Sequence, residues 1–208
     1  MGTAIHSVAE NLTKLEKEGV EPSEKLAFEI LGKNWDSSIY RNQRTKEKEA
    51  KESSKEMIQT LLDWIKNNPN KAVDVEARFK IIINDAVISG QIDRVEKTPD
   101  GDFEVIDFKT GRDEKTKNTI KDDIQMNMYA LGTEKLYGKL PKKTSLFYIK
   151  HDKMVPYEIE PNRLEEFKNQ ISQKIEDIFD EKFDAKPEYL KCKMCDYTEI
   201  CDAKEILN

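Results

Sequence analysis

Gly90-Gln91-Ile92-Asp93 and, fourteen residues beyond that aspartate, Asp107-Phe108-Lys109 decide how this chain is read. Ala86 to Val95 is β-prone, Thr98-Pro99-Asp100-Gly101 is a turn signal, and Phe103 to Lys109 is a second β-prone run. The pattern predicts a hairpin with Asp93 on its first strand and Asp107 and Lys109 on its second. Side chains two apart on a strand share a face, so Asp107 and Lys109 emerge together while Phe108 points away. Two carboxylates beside an ammonium suit a divalent metal used for phosphodiester cleavage. The metal would polarise phosphate and lower the pKa of a water, and the lysine would orient that water or offset developing charge. A lone Asp-x-Lys near a strand end is more often a solvated polar position.

The flanking sequence predicts a mixed α/β layered domain. Ile5, Val8, Ala9, Leu12 and Leu15 recur at helical spacing up to Gly19, and Pro22-Ser23 opens a second helix. A long charged helix is expected from about Asn42 to Lys66. Strand alternation follows from Ala72 to Ile83, with Glu76 in the outward phase. A helix from about Thr119 to Tyr137 carries Ile124, Met128, Leu131 and Leu136 on one face. Two strands fit 144–150 and 154–159, and a last long helix begins near Asn162, burying Leu164, Phe167, Ile171, Ile175 and Ile178.

With 208 residues the chain suits one substantial core, read as a helical lead-in (1–70), an α/β core (71–182) and a cysteine tail (183–208). Its net charge of −6 argues against a broad basic coat, so any phosphate contact must be local and metal-assisted. Lys115, Lys117, Lys121, Lys139, Lys142 and Lys143 are candidates for such a patch, although charge runs are more often solvated faces. No stretch approaches the ~20 apolar residues of a membrane span, and no signal-peptide core opens the chain. All three cysteines lie between Cys192 and Cys201, a poor disulfide framework. The expected setting is cytoplasmic. A motif that begins straight after Met1 suggests a domain excised from a longer chain.

Asp93, Glu104 to Gly111, Gln125 and Tyr129 together resemble the PD-(D/E)XK nuclease superfamily, in particular its RecB-like branch. Gly2-Thr3-Ala4-Ile5-His6 is similar to that branch's helical histidine motif, and Gln125 to Tyr129 matches its Q-x-x-x-Y signature. The resemblance runs from about Gly2 to Cys201. It implies a restriction-endonuclease-like core and DNA, single-stranded or at duplex ends, as substrate. It also implies Mg²⁺ or Mn²⁺ held by His6, Asp93, Asp107 and the main-chain carbonyl of Phe108. Lys109 would then act on the attacking water, and Gln125 and Tyr129, one helical turn apart, would support the site and touch DNA. Resembling chains often carry a glutamate near the site where Glu76 stands; as an outward strand residue it is equally a solvated position. Arg94 and Thr110 flank the ligands, where phosphate contact and salt bridging are both open.

Cys192-x-x-Cys195-x₅-Cys201 is a metal pattern, zinc or iron–sulfur by spacing alone. It is similar to the C-terminal part of the 4Fe–4S staple of AddB-type and CRISPR-associated nucleases, whose fourth cysteine lies upstream of the histidine motif. No cysteine precedes Cys192, so the cluster is expected to be incomplete in this chain. The quoted motifs look most like the C-terminal nuclease domain of UvrD/Rep-type helicase–nucleases, implying a helicase partner and a role in DNA repair or recombination, with exonuclease activity. The competing readings are a CRISPR-associated exonuclease, a catalytically silent DNA-binding module of the same fold, and a zinc-ribbon interaction domain.

Overall fold

The computed structural model describes residues 1–111 and 113–203. Three helices lead in: α1 (Gly2–Lys17), α2 (Glu24–Asn34) and α3 (Arg44–Asn67). The Ser23 hydroxyl accepts from the Leu26 N–H and starts α2, as the Pro-Ser pair predicts. Then come β1 (Lys71–Ile83), β2 (Ala86–Lys97), β3 (Phe103–Lys109), α4 (Lys117–Ile120), α5 (Ile124–Tyr137), β4 (Lys143–Tyr148), β5 (Lys153–Glu158), α6 (Pro161–Phe179) and α7 (Tyr189–Lys193). The five strands form one mixed sheet in chain order, antiparallel throughout except for the parallel β3–β4 pair. Helices flank this sheet, giving the restriction-endonuclease-like α/β architecture.

Burial explains the arrangement. Ile5, Val8 and Leu12 of α1 and Met57, Ile58 and Leu61 of α3 join Ile106, Phe108, Phe147 and Ile149 in one apolar cluster. Trp64 of α3 meets Phe108 edge-on, with ring centroids 5.8 Å apart. Helix α5 packs along β1, β2, β3 and β4. Two compact units are distinguished, Met1–Lys168 and Asn169–Asn208, with the boundary inside α6.

Two expectations need correction. The helix expected from Thr119 is broken: the Asp123 carboxylate accepts from the Met126 N–H, and the Asn127 side chain donates to the Lys121 and Asp123 carbonyls, so α5 starts afresh at Ile124. Its buried face is Met126, Asn127, Tyr129, Ala130, Leu131 and Thr133, whereas Ile124 and Leu136 are exposed. In α6, Leu164, Phe167, Ile171 and Ile175 are buried but Ile178 is exposed.

The reason α5 can lie so close to the sheet is glycine. The ring of Phe79 (β1) sits between Gly90 (β2) and Gly132 (α5), and a Cβ on Gly132 would lie 2.6 Å from ring carbons. Helix propensity alone says Gly132→Ala should gain about 1 kcal/mol, whereas overpacking against the ring costs about 1–3 kcal/mol. We expect overpacking to win. Urea denaturation of Gly132→Ala should show a lower midpoint, and the loss should shrink in a Phe79→Leu background. An unchanged or raised midpoint would show the ring to be free to move.

Candidate active site

The β2–β3 ladder runs from Lys97↔Phe103 to Arg94↔Ile106 and stops. The next residues along each strand are Asp93 and Asp107, so the two carboxylates meet where pairing ends. The freed backbone is put to use: the Phe108 N–H donates to Asp93 Oδ2 at 2.8 Å. On the other side of β2, pairing passes from Val75↔Arg94 to Ala77↔Ile92 and skips Glu76. Glu76 has φ +52°, a left-handed conformation inside a strand. Such a residue costs about 1–3 kcal/mol and persists where its surroundings over-determine it.

Asp107, Lys109, Gln125 and Tyr129 close a ring of contacts. Lys109 Nζ lies 2.7 Å from Asp107 Oδ2 and donates to Gln125 Oε1 at 2.9 Å. Gln125 Nε2 donates to the Tyr129 hydroxyl at 2.8 Å, and that hydroxyl donates to Asp107 Oδ1 at 3.3 Å. The ring has a direction: ammonium to amide oxygen, amide nitrogen to phenol, phenol to carboxylate. An amide at position 125 serves it because it accepts at one end and donates at the other. The i,i+4 spacing of Gln125 and Tyr129 on α5 sets both over the end of β3.

Burial dominates the electrostatics. It raises Asp107, opposed mainly by the Lys109 ammonium. Burial, then the Asp107 charge, pushes Asp93 up to about 7. The Tyr129 hydroxyl is raised by burial and by both carboxylates, so it stays protonated as a donor. His6 reaches the site from the first turns of α1, its Nδ1 3.5 Å from Asp93 Oδ2. Burial lowers its pKa, which favours the neutral imidazole with a lone pair to share.

Among the described residues, no group of three or more His, Cys, Asp or Glu side chains is gathered tightly enough to cage an ion. The donor chemistry nevertheless fits a hard divalent cation. Asp93 and Asp107 repel each other in a low-dielectric site, and Asp107 Oδ2 is buried without a well-formed hydrogen bond despite the nearby ammonium. The residues that would hold such an ion are Asp93 and Asp107, with His6 as a nitrogen donor.

The remaining expected residues scatter. Glu76 is half-buried, its pKa raised first by burial and then by Glu10, and its charge also raises Asp93. Thr110 lies beside the start of α1, where a Cβ on Gly2 would come within 3.2 Å of its hydroxyl. Phe108 buries its ring in the α1–α3 cluster, leaving only its backbone at the site. Arg94, for which the sequence leaves phosphate contact and salt bridging both open, is wholly buried and bonded to Glu16 and Glu96, so salt bridging claims it. Lys115, Lys139 and Lys143 are paired with Asp123, Asp102 and Glu104, which removes half of the expected basic patch. Cys192, Cys195 and Cys201 are free thiols in the unit that begins at Asn169. Sequence reasoning missed Thr13 and Glu16 as the partners of Arg94. They share a helix face, but polar residues at that spacing are usually solvated.

The sequence pattern of the PD-(D/E)XK nuclease superfamily matches residues 1–202. The Gene 69 protein of Mycobacterium phage D29 is 30% identical over 144 residues, 66% of this chain and 50% of that protein. The chain thus spans about half the length of this curated relative. The crystal structure of SSO0001 is similar with a TM-score of 0.42 and 23% identity, over 78% of this chain and 81% of that one.

The raised Asp93 carboxyl has a signed consequence for stability. A carboxyl whose folded pKa, about 7, exceeds its unfolded value of about 3.9 contributes stability that is full below the unfolded value. That contribution is lost as pH rises through 7. In EDTA, Asp93→Asn should therefore raise Tm at pH 8 by roughly 2–8 °C and leave it nearly unchanged at pH 4. Adding Mn²⁺ at pH 8 should raise the Tm of the wild-type protein and not that of the variant. Equal Tm values for the two proteins at pH 8 would mean that the carboxylate is not strained.

Proposed function

This chain belongs to the PD-(D/E)XK nuclease superfamily, and on that footing we propose that it is a divalent-metal-dependent deoxyribonuclease of the RecB-like branch. Its reaction is phosphodiester hydrolysis, exonucleolytic in mode, and its role is that of the nuclease module of a UvrD/Rep-type helicase–nuclease in DNA repair or recombination. The observation that carries the reading is the directed ring Asp107–Lys109–Gln125–Tyr129 closing beside Asp93 and His6.

Each residue has a task that its surroundings suit. Asp93 and Asp107 are the carboxylates for Mg²⁺ or Mn²⁺, with His6 and the Phe108 carbonyl completing the donor set. When bound, the metal supplies Lewis acidity toward phosphate and a lowered pKa for water. Lys109, held by Asp107 and Gln125, keeps its ammonium at the mouth of the site, where negative charge develops on phosphate oxygens. Tyr129 fixes the rotamer of Asp107 through its hydroxyl, and Gln125 fixes both Tyr129 and Lys109. Glu76 adds negative charge beside Asp93 and strengthens the demand for a cation. Thr110, half-exposed at the end of β3, and the outer side of Gln125 are left to contact DNA.

For the cysteines we retain the narrower proposal of a partial iron–sulfur ligand set. Cys192, Cys195 and Cys201 are three thiolates where a 4Fe–4S cluster takes four, and as placed they form no metal cage among the described residues. No catalytic step is assigned to them. Anaerobic reconstitution with iron and sulfide should leave substoichiometric iron that is lost on gel filtration. Zinc bound without sulfide would replace the cluster by a zinc staple.

The test of catalysis is hydrolysis of end-labelled single-stranded and duplex DNA in Mg²⁺ or Mn²⁺. Asp107→Ala should lose activity by several orders of magnitude while remaining folded by circular dichroism. Lys109→Ala should lose roughly 10²–10³-fold, the scale of one charge-stabilising donor, and His6→Ala about 10-fold, with weakened Mn²⁺ binding by calorimetry. Full activity of Asp107→Ala, or activity unchanged in EDTA, would refute the reading.

A further inference from the structure

Beyond Asp93 the β1–β2 ladder continues without a third strand, since β3 pairs only with Arg94 to Lys97. The outer halves of the two strands thus form a two-stranded arm that ends in a tight turn at Asn84-Asp85, both with positive φ. One face of the arm is pinned by the Phe79 ring in its glycine slot, with Ala77 and Ile81 also buried. The other face carries three cross-strand pairs in line: Arg78↔Gln91, Lys80↔Ser89 and Ile82↔Val87. Arg78, Lys80, Ser89, Ile82 and Val87 are exposed, the last two at 73% and 63%.

We propose that this face is a track for a single DNA strand entering or leaving the carboxylate site. On it, Arg78 and Lys80 hold phosphates, and the Ile82–Val87 pair at the tip contacts unpaired bases. The inference rests on the nuclease reading above and adds to it where the strand runs.

Four observations converge. Arg78 and Lys80 make no ion pair with a carboxylate among the described residues, whereas Lys109, Lys115, Lys139, Lys143 and Lys153 all do. Arg78 acts on the Glu76 carboxylate only through space, so in a chain of net charge −6 two cations in line without an ion pair offer a local phosphate contact. They stand two residues apart, so successive cations are about 6.8 Å apart along the strand. A shallow recess of about 530 Å³, lined by Arg78, Phe79, Lys80, Ser89, Gly90 and Gln91, opens on the same stretch. The track is continuous with the site: Gln91 Nε2 lies 3.5 Å from the Glu76 carbonyl, and Glu76 stands beside Asp93. Finally, an exposed aliphatic pair at the end of a basic ribbon is the kind of group that wedges against base faces. A single strand offers exposed base faces without the unstacking cost that a duplex must meet, which favours a single strand over an intact duplex.

The experiment compares the wild-type protein with Arg78→Ala/Lys80→Ala and with Ile82→Ser/Val87→Ser. All four side chains are exposed, so folding is not at stake. Steady-state cleavage of a fluorescein-labelled 30-mer should show KM raised at least 10-fold in the first variant, with kcat within about 3-fold, the pattern of lost uniform binding. The slope of log K against log[salt] should fall by about 1.4, two contacts at ~0.7 each. The small diester bis-p-nitrophenyl phosphate, which reaches the site but not the arm, should be cleaved equally by both proteins. The tip variant should weaken 30-mer binding several-fold with the salt slope unchanged. Unchanged KM and slope in Arg78→Ala/Lys80→Ala, with the 30-mer still cleaved, would overturn the track and leave the nuclease reading standing. If the wild-type protein cleaves nothing, the nuclease reading fails. Fluorescence anisotropy in EDTA then decides the track separately: single-strand binding lost in the double variant upholds it, and no binding by the wild-type protein overturns it. A tip variant that binds DNA normally but loses self-association would overturn the role given to Ile82 and Val87.

Discussion

A guanidinium with no exposure to water holds this architecture together. Arg94 donates to Glu96 at 2.7 Å, to Glu16 at 2.6 Å and to the Thr13 hydroxyl at 3.1 Å, and it lies 4.9 Å from the ring centre of Trp64. Those partners come from β2, α1 and α3, so one side chain ties the helical lead-in to the sheet. The network continues outward: Asn68 and Asn70 donate to Glu96, Asn70 also to Glu104, and Lys143 pairs with Glu104. Nε and Nη1 carry these bonds, while Nη2 is buried without a hydrogen-bond partner, and removing one charged partner typically costs about 3–5 kcal/mol because the other is stranded. Arg94 directly follows Asp93. The bond that fixes α1 to β2 therefore also fixes the distance from His6 to the carboxylate pair.

The site occupies the place where regular pairing gives out, and its polarity follows from that. Where β2 and β3 part, an N–H that would have joined the ladder is free to donate to Asp93. Two carboxylates then face each other under burial, with Glu76 twisted into a left-handed conformation beside them. The facing carboxylates and the left-handed Glu76 are each unfavourable taken alone. A frame rigid enough to impose them is a frame prepared for a cation, because the binding free energy of the ion offsets the repulsion that the fold builds in.

Phe79 connects this centre to the arm. Its ring fills the space left by Gly90 and Gly132, and it meets Tyr129 edge-on with centroids 6.3 Å apart. Tyr129 in turn donates to Asp107. The same aromatic contact that seats α5 on the sheet thus supports a member of the polar ring and stiffens the strands leading away from it.

Much of this was legible in the chain itself. The alternation of β1, the turn after Lys97, the Ser23 cap and the apolar stripes of α1 and α3 are local signals, and local sterics and periodicity suffice to read them. The spacing of Asp107 and Lys109, and of Gln125 and Tyr129, puts each pair on one face for the same reason. What tertiary structure alone decided is which faces meet. Whether Arg94 pairs with phosphate or with Glu16 depends on a helix nearly eighty residues away in sequence. Whether Lys115 and Lys139 are free or neutralised depends on where Asp123 and Asp102 fall. The break before α5 and the slot for Phe79 likewise arise from a cap and a close approach that no periodicity records. Local sequence sets the direction of a side chain, but its charge, partners and exposure are set by residues that only folding brings near.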